Sequence, residues 1–374
     1  MAADFKVTPW EVTGDIDYDL LAERFGTTAM DGKLLTRLSR YGKLHTMLRR
    51  GIFYSHRDLN VILDEYEKNN KFVLYTGRGP SGHTHLGHIM PWIFNKWMQD
   101  VFGAEMYFQL TDDEKFLFKH EATLQETRRM AYENALDFVA LGFDRKRTKI
   151  ILDTENIRTL YPIALKFAKK INLSTAKAVF GFDNTANIGS LFYTSLQAAP
   201  AFLASERAGY NVPCLIPCGI DQDPHFRACR DVAPGIGYMK PGQMYCKMFP
   251  GLSGADKMSS SDPSATIYTT DNAKEVKKKI GRAFTGGCVS VEEQRMKGGN
   301  PEVCAVFKYN YYLFENDDDK LNELTRKCRN GEILCGECKA ALTEKINVFL
   351  ADHQEKREKA KDVINDMTFE GFRW

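Results

Sequence analysis

The stretch that most constrains this chain runs from Phe72 to His88, Phe-Val-Leu-Tyr-Thr followed by Gly-Arg-Gly-Pro-Ser-Gly and His-Thr-His-Leu-Gly-His. Phe72 to Thr76 are strand-forming residues, Gly77, Gly79 and Gly82 make a glycine-rich turn, and a helix is expected from near Leu86. Apolar residues four apart (Ile89, Ile93, Trp97, Val101) mark that helix, and Gly103 stops it. A strand feeding a glycine-rich turn into a helix start suits an anion. The backbone can approach closely there, and the helix N-terminus presents N–H groups with partial positive charge. In His85-Leu86-Gly87-His88 two imidazoles flank a residue without a side chain. They can donate to phosphate oxygens while a flat base lies against Gly87.

From Lys71 onward, strands alternate with helices, the pattern of a parallel sheet with helices packed on it. Further strands are read at 105–111, Lys149–Leu152 and Val212–Ile216. Ligands collect where such strands end, and polar clusters stand at these ends. Tyr75 closes the first strand, Gln109 and Asp112-Asp113-Glu114-Lys115 the second, and Gly219-Ile-Asp221-Gln222-Asp223 follows another, with Pro224 opening a helix. Gly254 to Pro263 is a small-residue loop around Lys257, read as a mobile lid able to carry a cation onto a phosphate chain.

The fold class expected is α/β: a Rossmann-type parallel-sheet domain over 71–268, a mostly helical extension over 1–70, and a helical domain over 269–362, with the tail 363–374 packing back on the sheet domain. In the extension, Asp17–Phe25 reads as a helix closed by Gly26, and Ser55-His56-Arg57-Asp58 as a capping box. In the helical third, Leu342, Ile346, Phe349 and Leu350 mark a buried face. Lys274, Lys278 and Arg282 fall four apart, a solvated or phosphate-contacting face. The aromatic run Phe307 to Phe314 reads as core.

Composition adds limits. A chain of 374 residues with 43% hydrophobic and 27% charged residues is globular and of two or three domains. It has no apolar run long enough for a membrane span, and a net charge of +2 neither demands nor excludes a nucleic acid. The N-terminus lacks signal-peptide features, so nine cysteines are expected as reduced thiols in a cytoplasmic protein. Cys335-Gly-Glu-Cys338 lacks the second pair a zinc site would want, and no metal ligands are assigned.

The His-x-Gly-His string resembles the signature of class I aminoacyl-tRNA synthetases and their nucleotidylyltransferase relatives. Arg50-Gly-Ile-Phe-Tyr-Ser-His-Arg57, Thr111-Asp-Asp-Glu-Lys-Phe116, Ala176-Lys-Ala-Val-Phe-Gly-Phe182, Cys214-Leu-Ile-Pro-Cys218, Ile220-Asp-Gln-Asp-Pro224, Lys257-Met-Ser259 and Val7-Thr-Pro-Trp10 extend the resemblance nearly end to end. Together they are similar to the eukaryotic and archaeal branch of the tryptophanyl-tRNA synthetases. That resemblance implies ATP-dependent activation of L-tryptophan and its transfer to tRNA(Trp), a helical anticodon-binding domain and a homodimer, with Mg2+ on the ATP and neither membrane nor DNA as partner.

It also implies roles. His85, His88, Lys257 and Ser259 would be catalytic. Arg78, Gly79, Pro80, His85, Gly87, His88, Lys257, Met258, Ser259 and Ser261 would bind ATP. Tyr75, Gly77, Gln109, Glu114, Gln197 and Gln222 would bind tryptophan. The chain departs from the family pattern at Ser260, where a second lysine is usual, and Lys115 or Arg78 is expected to supply that charge. The segment from Pro80 to His85 is shorter than in the eukaryotic form, and the Cys335/Cys338 pair has no family counterpart. A non-catalytic RNA-binding paralogue, a small-molecule nucleotidylyltransferase and a tyrosine-specific enzyme are the competing readings; intact His85, His88 and Lys257 weigh against the first.

Overall fold

The computed structural model describes residues 16–255, 257–259 and 262–374, with the backbone of two short strands before them. Thr8 to Trp10, Ser260 and Ser261 lie outside the described residues, so the Val7–Trp10 string and the Ser261 assignment have no structural account. Those first strands, β1 (Lys6–Val7) and β2 (Val12–Thr13), form an antiparallel ribbon. β3 (Thr28–Ala29), β4 (Phe53–Arg57), β5 (Val73–Arg78), β6 (Glu105–Leu110), β7 (Thr148–Leu152), β8 (Cys214–Gly219) and β9 (Gly242–Cys246) make one sheet in the order β3-β4-β9-β8-β5-β6-β7. The five strands β9-β8-β5-β6-β7 run parallel, and β4 then β3 add antiparallel at one side. The chain lays β5 centrally, moves outward through β6 and β7, then returns to the other flank with β8 and β9. Strand order therefore reverses beside β5, where a ligand crevice forms in such sheets.

Local chemistry explains the elements that follow. The helix Leu86–Phe102 starts where expected. Thr123 and Glu126 form a reciprocal capping box on the helix Leu124–Ala140. That helix is fastened to the sheet by Phe138, whose ring stacks on Phe108 at 3.7 Å and on Phe143 at 4.1 Å. Removing a ring so placed typically costs about 3–5 kcal/mol. Asp17 caps the helix Tyr18–Phe25, and Gly26 closes it at φ 64°.

Three readings are corrected. Ser55 to Arg57 belong to β4, so the expected capping box does not form. Asp58 instead adopts φ 51° without a side-chain cap, and His56 Nδ1 accepts from Leu59 N at 3.3 Å. The strand read at Val212–Ile216 lies at Cys214–Gly219. β9 was not anticipated: all five of its residues are buried, so it shows no alternation to betray a strand.

The molecule divides into two compact units. The first comprises 1–82, 91–247 and 359–374; the second comprises 83–90 and 248–358. This partition differs from the three-way division above, because β4 belongs to the main sheet and His83–Met90 group with the helical third. In the first unit the tail reaches β7, with Thr368 bridging Ile150 and Phe369 O accepting from Asn156 Nδ2 at 3.0 Å. In the second, Leu342, Ile346 and Leu350 are buried along the helix Cys335–Ala360, and Phe349 is half-buried. Of the aromatic run, Tyr309 is core and the others are half-buried. Lys274, Lys277, Lys278 and Arg282 are exposed, whereas Lys279 pairs with Asp271 at 2.7 Å. No helix of the described residues is long and apolar enough to cross a membrane.

Candidate functional site

In the first unit the side chains expected to meet the amino acid are linked by hydrogen bonds. Parallel register sets Tyr75 beside Tyr107 and Gly77 beside Gln109, placing Tyr75 and Gln109 on one face. The Tyr75 hydroxyl lies 2.5 Å from Gln109 Oε1 and 2.8 Å from Gln197 O. Gln109 Nε2 donates to both Asp153 oxygens, at 2.8 and 2.9 Å, which orients the amide with its oxygen toward Tyr75. Gln197 Nε2 reaches Gln222 Oε1 at 3.4 Å, while Gln197 Oε1 is buried with no hydrogen-bond partner. A side chain at Gly77 would meet Gln109 O at 2.9 Å, so the strand end stays open only with glycine there.

Beside this chain sits an acidic cluster. Glu114 Oε1 is paired with Lys115 at 2.5 Å, and its Oε2 accepts from Thr111 at 2.7 Å. Burial, then the Asp112 carboxylate, raises Asp113 to about 7. Burial, then the Asp113 charge, holds Asp153 well above the usual carboxylate range. These acids cannot all ionise together, so protons are shared among them near neutrality. Asp153 was missed from the sequence although the signal was present: it follows the last residue of β7, as the recognised cluster Asp112 to Lys115 comes just after β6.

Arg78 is buried at 7% exposure, its Nε on Asn134 Oδ1 at 2.6 Å and its Nη2 on Gly82 O at 3.0 Å. Asn134 Nδ2 also donates to Gly82 O, at 3.0 Å. The guanidinium therefore braces the loop from Gly79 to Gly82, and burial lowers its pKa to about 10. A side chain at Gly79 would strike Lys115 Cε at 2.4 Å and Glu114 Oε2 at 2.5 Å. Pro80 is buried in the same loop. Of the two groups expected to replace the missing lysine, Arg78 is engaged with Asn134 and Gly82, and Lys115 with Glu114.

The second unit holds the imidazoles and the lysine loop. His83–Met90 is laced to residues 267–269: Leu86 N donates to Ile267 O at 3.1 Å, Thr269 N to Thr84 O at 2.9 Å, and His85 bridges Tyr268. The His85 and His88 rings lie 3.6 Å apart, and His85 N donates to His88 Nδ1 at 3.3 Å. A side chain at Gly87 would come within 3.0 Å of the His85 ring, so glycine keeps that face clear. In the loop, Met258 is buried and its N donates to Phe249 O at 2.6 Å. Ser259 O accepts from Thr266 Oγ1 at 2.7 Å. Lys257 and Ser259 thus flank a buried methionine anchor.

Comparison with known proteins identifies the family. The family of class I tRNA synthetases for W and Y matches residues 67–351. The tryptophan–tRNA ligase of Pyrobaculum calidifontis is 50% identical over 366 residues, 98% of each chain. The crystal structure of Plasmodium falciparum tryptophanyl-tRNA synthetase superposes with a TM-score of 0.90 at 37% identity, covering 95% of this chain and 98% of that one. That of the Encephalitozoon cuniculi enzyme, bound to tryptophan, gives 0.88 at 38% identity, covering 96% and 99%. The chain belongs to the class I tRNA synthetases of the tryptophan and tyrosine group, within their tryptophan–tRNA ligase branch.

Proposed function

We propose that this enzyme activates L-tryptophan with ATP and esterifies it to tRNA(Trp). A tryptophan carboxylate oxygen attacks the α-phosphorus of ATP, the bond to the β-phosphate oxygen breaks, and pyrophosphate leaves. A terminal ribose hydroxyl of the tRNA then attacks the acyl carbon of the adenylate, and AMP departs. Neither step requires a protein nucleophile; positioning and neutralisation of phosphate charge carry the rate.

The observation that carries the tryptophan reading is the chain Tyr75–Gln109–Asp153. Indole offers one N–H donor and no acceptor, so its pocket must present an acceptor. With Gln109 Nε2 committed to Asp153, the acceptors are the Tyr75 hydroxyl oxygen and Gln109 Oε1. Gln197 Oε1, orphaned when unliganded, together with Gln222 and Glu114, serves the substrate ammonium. Gly77 keeps the strand end open to the substrate.

On the nucleotide side His85 and His88 bind phosphate oxygens, Gly87 admits the adenine, and Gly79 and Pro80 shape the loop that Arg78 braces. Lys257, Met258 and Ser259 form the loop that meets the departing pyrophosphate. ATP arrives as its magnesium complex, the ion keeping most of its waters. The exposed Lys274, Lys277, Lys278 and Arg282 support a tRNA-facing role for the helical unit. The family resemblance supports a cytoplasmic homodimer.

Pyrophosphate exchange into ATP, run with each of the twenty amino acids, tests the assignment. Tryptophan should support exchange and tyrosine should not. Equal exchange with tyrosine would overturn the pocket reading.

A further inference from the structure

Asn156 stands at the start of the helix Ile157–Ala168, where an asparagine side chain ordinarily caps the first turn, yet it makes no capping bond. It reaches two other partners instead. Its Oδ1 accepts from Leu152 N, the last residue of β7, at 3.0 Å, and its Nδ2 donates to Phe369 O, in the C-terminal tail, at 3.0 Å. The residue is 1% exposed, so no water replaces either bond if it is lost.

The turn Asp153–Asn156 joins β7 to that helix, and each of its residues is tied down. Asp153 holds Gln109 Nε2 with both oxygens, and its own N donates to Leu110 O at 3.2 Å. Thr154 donates to Asp112 through N at 3.2 Å and through Oγ1 at 2.5 Å. Glu155 pairs with Arg128.

The last residues of the chain brace the outer side of this turn. Besides the Phe369 carbonyl on Asn156, Glu370 Oε1 accepts from Thr159 Oγ1 at 2.6 Å, and Arg373 O accepts from Arg128 Nη2 at 2.8 Å. Between those contacts Glu370 adopts φ 59°, followed by Gly371 at φ 73°. A left-handed conformation is costly for a residue with a Cβ and persists only where its surroundings hold it. A tail that merely covered apolar surface would need only buried side chains such as Met367 and Phe369. Here its polar ties also converge on the one turn that carries Asp153.

We propose that the C-terminal tail is a positioning element for tryptophan recognition: through the Phe369 carbonyl and Asn156 it fixes the turn after β7, and the turn sets Asp153 against the Gln109 amide. The inference rests on the reading of Gln109 as a partner of the indole N–H. Asn156 and the tail act through Asp153. When the tail is loosened, the carboxylate shifts and Gln109 loses the bond that aims its Oε1 at Tyr75.

Pyrophosphate exchange with full-length variants tests this. Proline cannot adopt the φ of Glu370, whereas glycine can. Glu370→Pro and Asn156→Ala should each raise the tryptophan KM about fivefold, the scale of one hydrogen bond, with the ATP KM and kcat within about twofold of wild type. Glu370→Gly, which keeps the bend, should match wild type. In an Asp153→Ala background neither Glu370→Pro nor Asn156→Ala should raise the tryptophan KM further, because the residue they act through is gone. An unchanged tryptophan KM in both variants, an equal rise in the ATP KM, or a further rise in the Asp153→Ala background would overturn the proposal, whatever happens to Tm. Should the buried Asn156→Ala fail to fold, Glu370→Pro, at an exposed position, decides alone. Gln109→Ala measured beside them separates the two readings. If it raises the tryptophan KM and the tail variants do not, the tail inference fails and the pocket stands; if it has no effect either, the pocket reading has failed as well.

Discussion

The polar side-chain cluster of the first unit and the imidazole and lysine segments of the second unit are held by different means. In the first unit Tyr75, Gln109, Asp153, Gln197 and Gln222 are joined through their side chains. In the second unit, main-chain pairing positions the segments: Thr84 with Thr269, Leu86 with Ile267, Met258 with Phe249. A side chain of this first-unit cluster is therefore also a structural one, and its loss leaves buried partners unsatisfied. In the second unit the backbone ties survive loss of a side chain, so function and stability should separate.

Substitutions that break this contrast differ in size. The largest effect is expected for Lys257→Ala and His88→Ala. Each should lower kcat/KM for adenylate formation about 100-fold or more, the scale of a lost charge-stabilising group, with little change in Tm. A fall in Tm matching that of a core mutant would erase the distinction. Gln109→Ala comes next, removing the Tyr75 hydroxyl's side-chain partner, though not its Gln197 O contact, and taking the amide donor from both Asp153 oxygens. Stability should drop by about 1–3 kcal/mol, and the tryptophan KM should rise about tenfold while the ATP KM stays nearly constant. Equal change in both KM values would count against the pocket. Asp153→Asn should sit below it, because a neutral side chain of the same shape still offers Gln109 an acceptor. Its Tm should fall less than that of Asp153→Ala.

The smallest expected effect is on pH dependence. Burial, then the Lys115 charge, pushes His225 down to about 3; burial, then Arg49 and Arg50, pushes His45 down to about 4. Unfolded, each would bind a proton near 6.5 that the folded protein refuses. Their contribution is complete above about 6.5 and is lost as the pH falls toward 4 and 3. Asp113, raised to about 7, acts oppositely: its contribution is present below its unfolded value and is lost as pH rises through 7. Thermal melts from neutral to about pH 5 should show falling Tm for the wild type and a shallower fall for His225→Phe. An unchanged slope would remove His225 from the account.

Much of the fold was legible because it is written in local periodicity. The strand from Val73, the helix Leu86–Phe102, the capped helix Tyr18–Phe25 and the buried face of Cys335–Ala360 follow from short-range patterns, whereas Gly77, read as the start of the turn, and Arg78 belong to β5. β4 was obscured because Ser55–Asp58 also reads as a cap, and β9 because a strand buried on both faces does not alternate. Gln109 stood out as a polar group at a strand end; Tyr75, read as closing its strand, instead lies within β5, which continues to Arg78. Asn134 carried no such mark, lying mid-helix and becoming relevant only where it meets Arg78 and Gly82.

The sequence alone determined which segments become strand, turn and helix, and which residue types stand where a phosphate or an indole can be met. Spacing along one chain encodes those features. Tertiary structure alone decided that Asp153 orients Gln109, that Arg78 braces a loop, and that cysteines as distant as Cys304 and Cys338 line one hollow. Such partners are far apart in the chain. Sheet register and helix packing bring them together, and no local pattern carries that information.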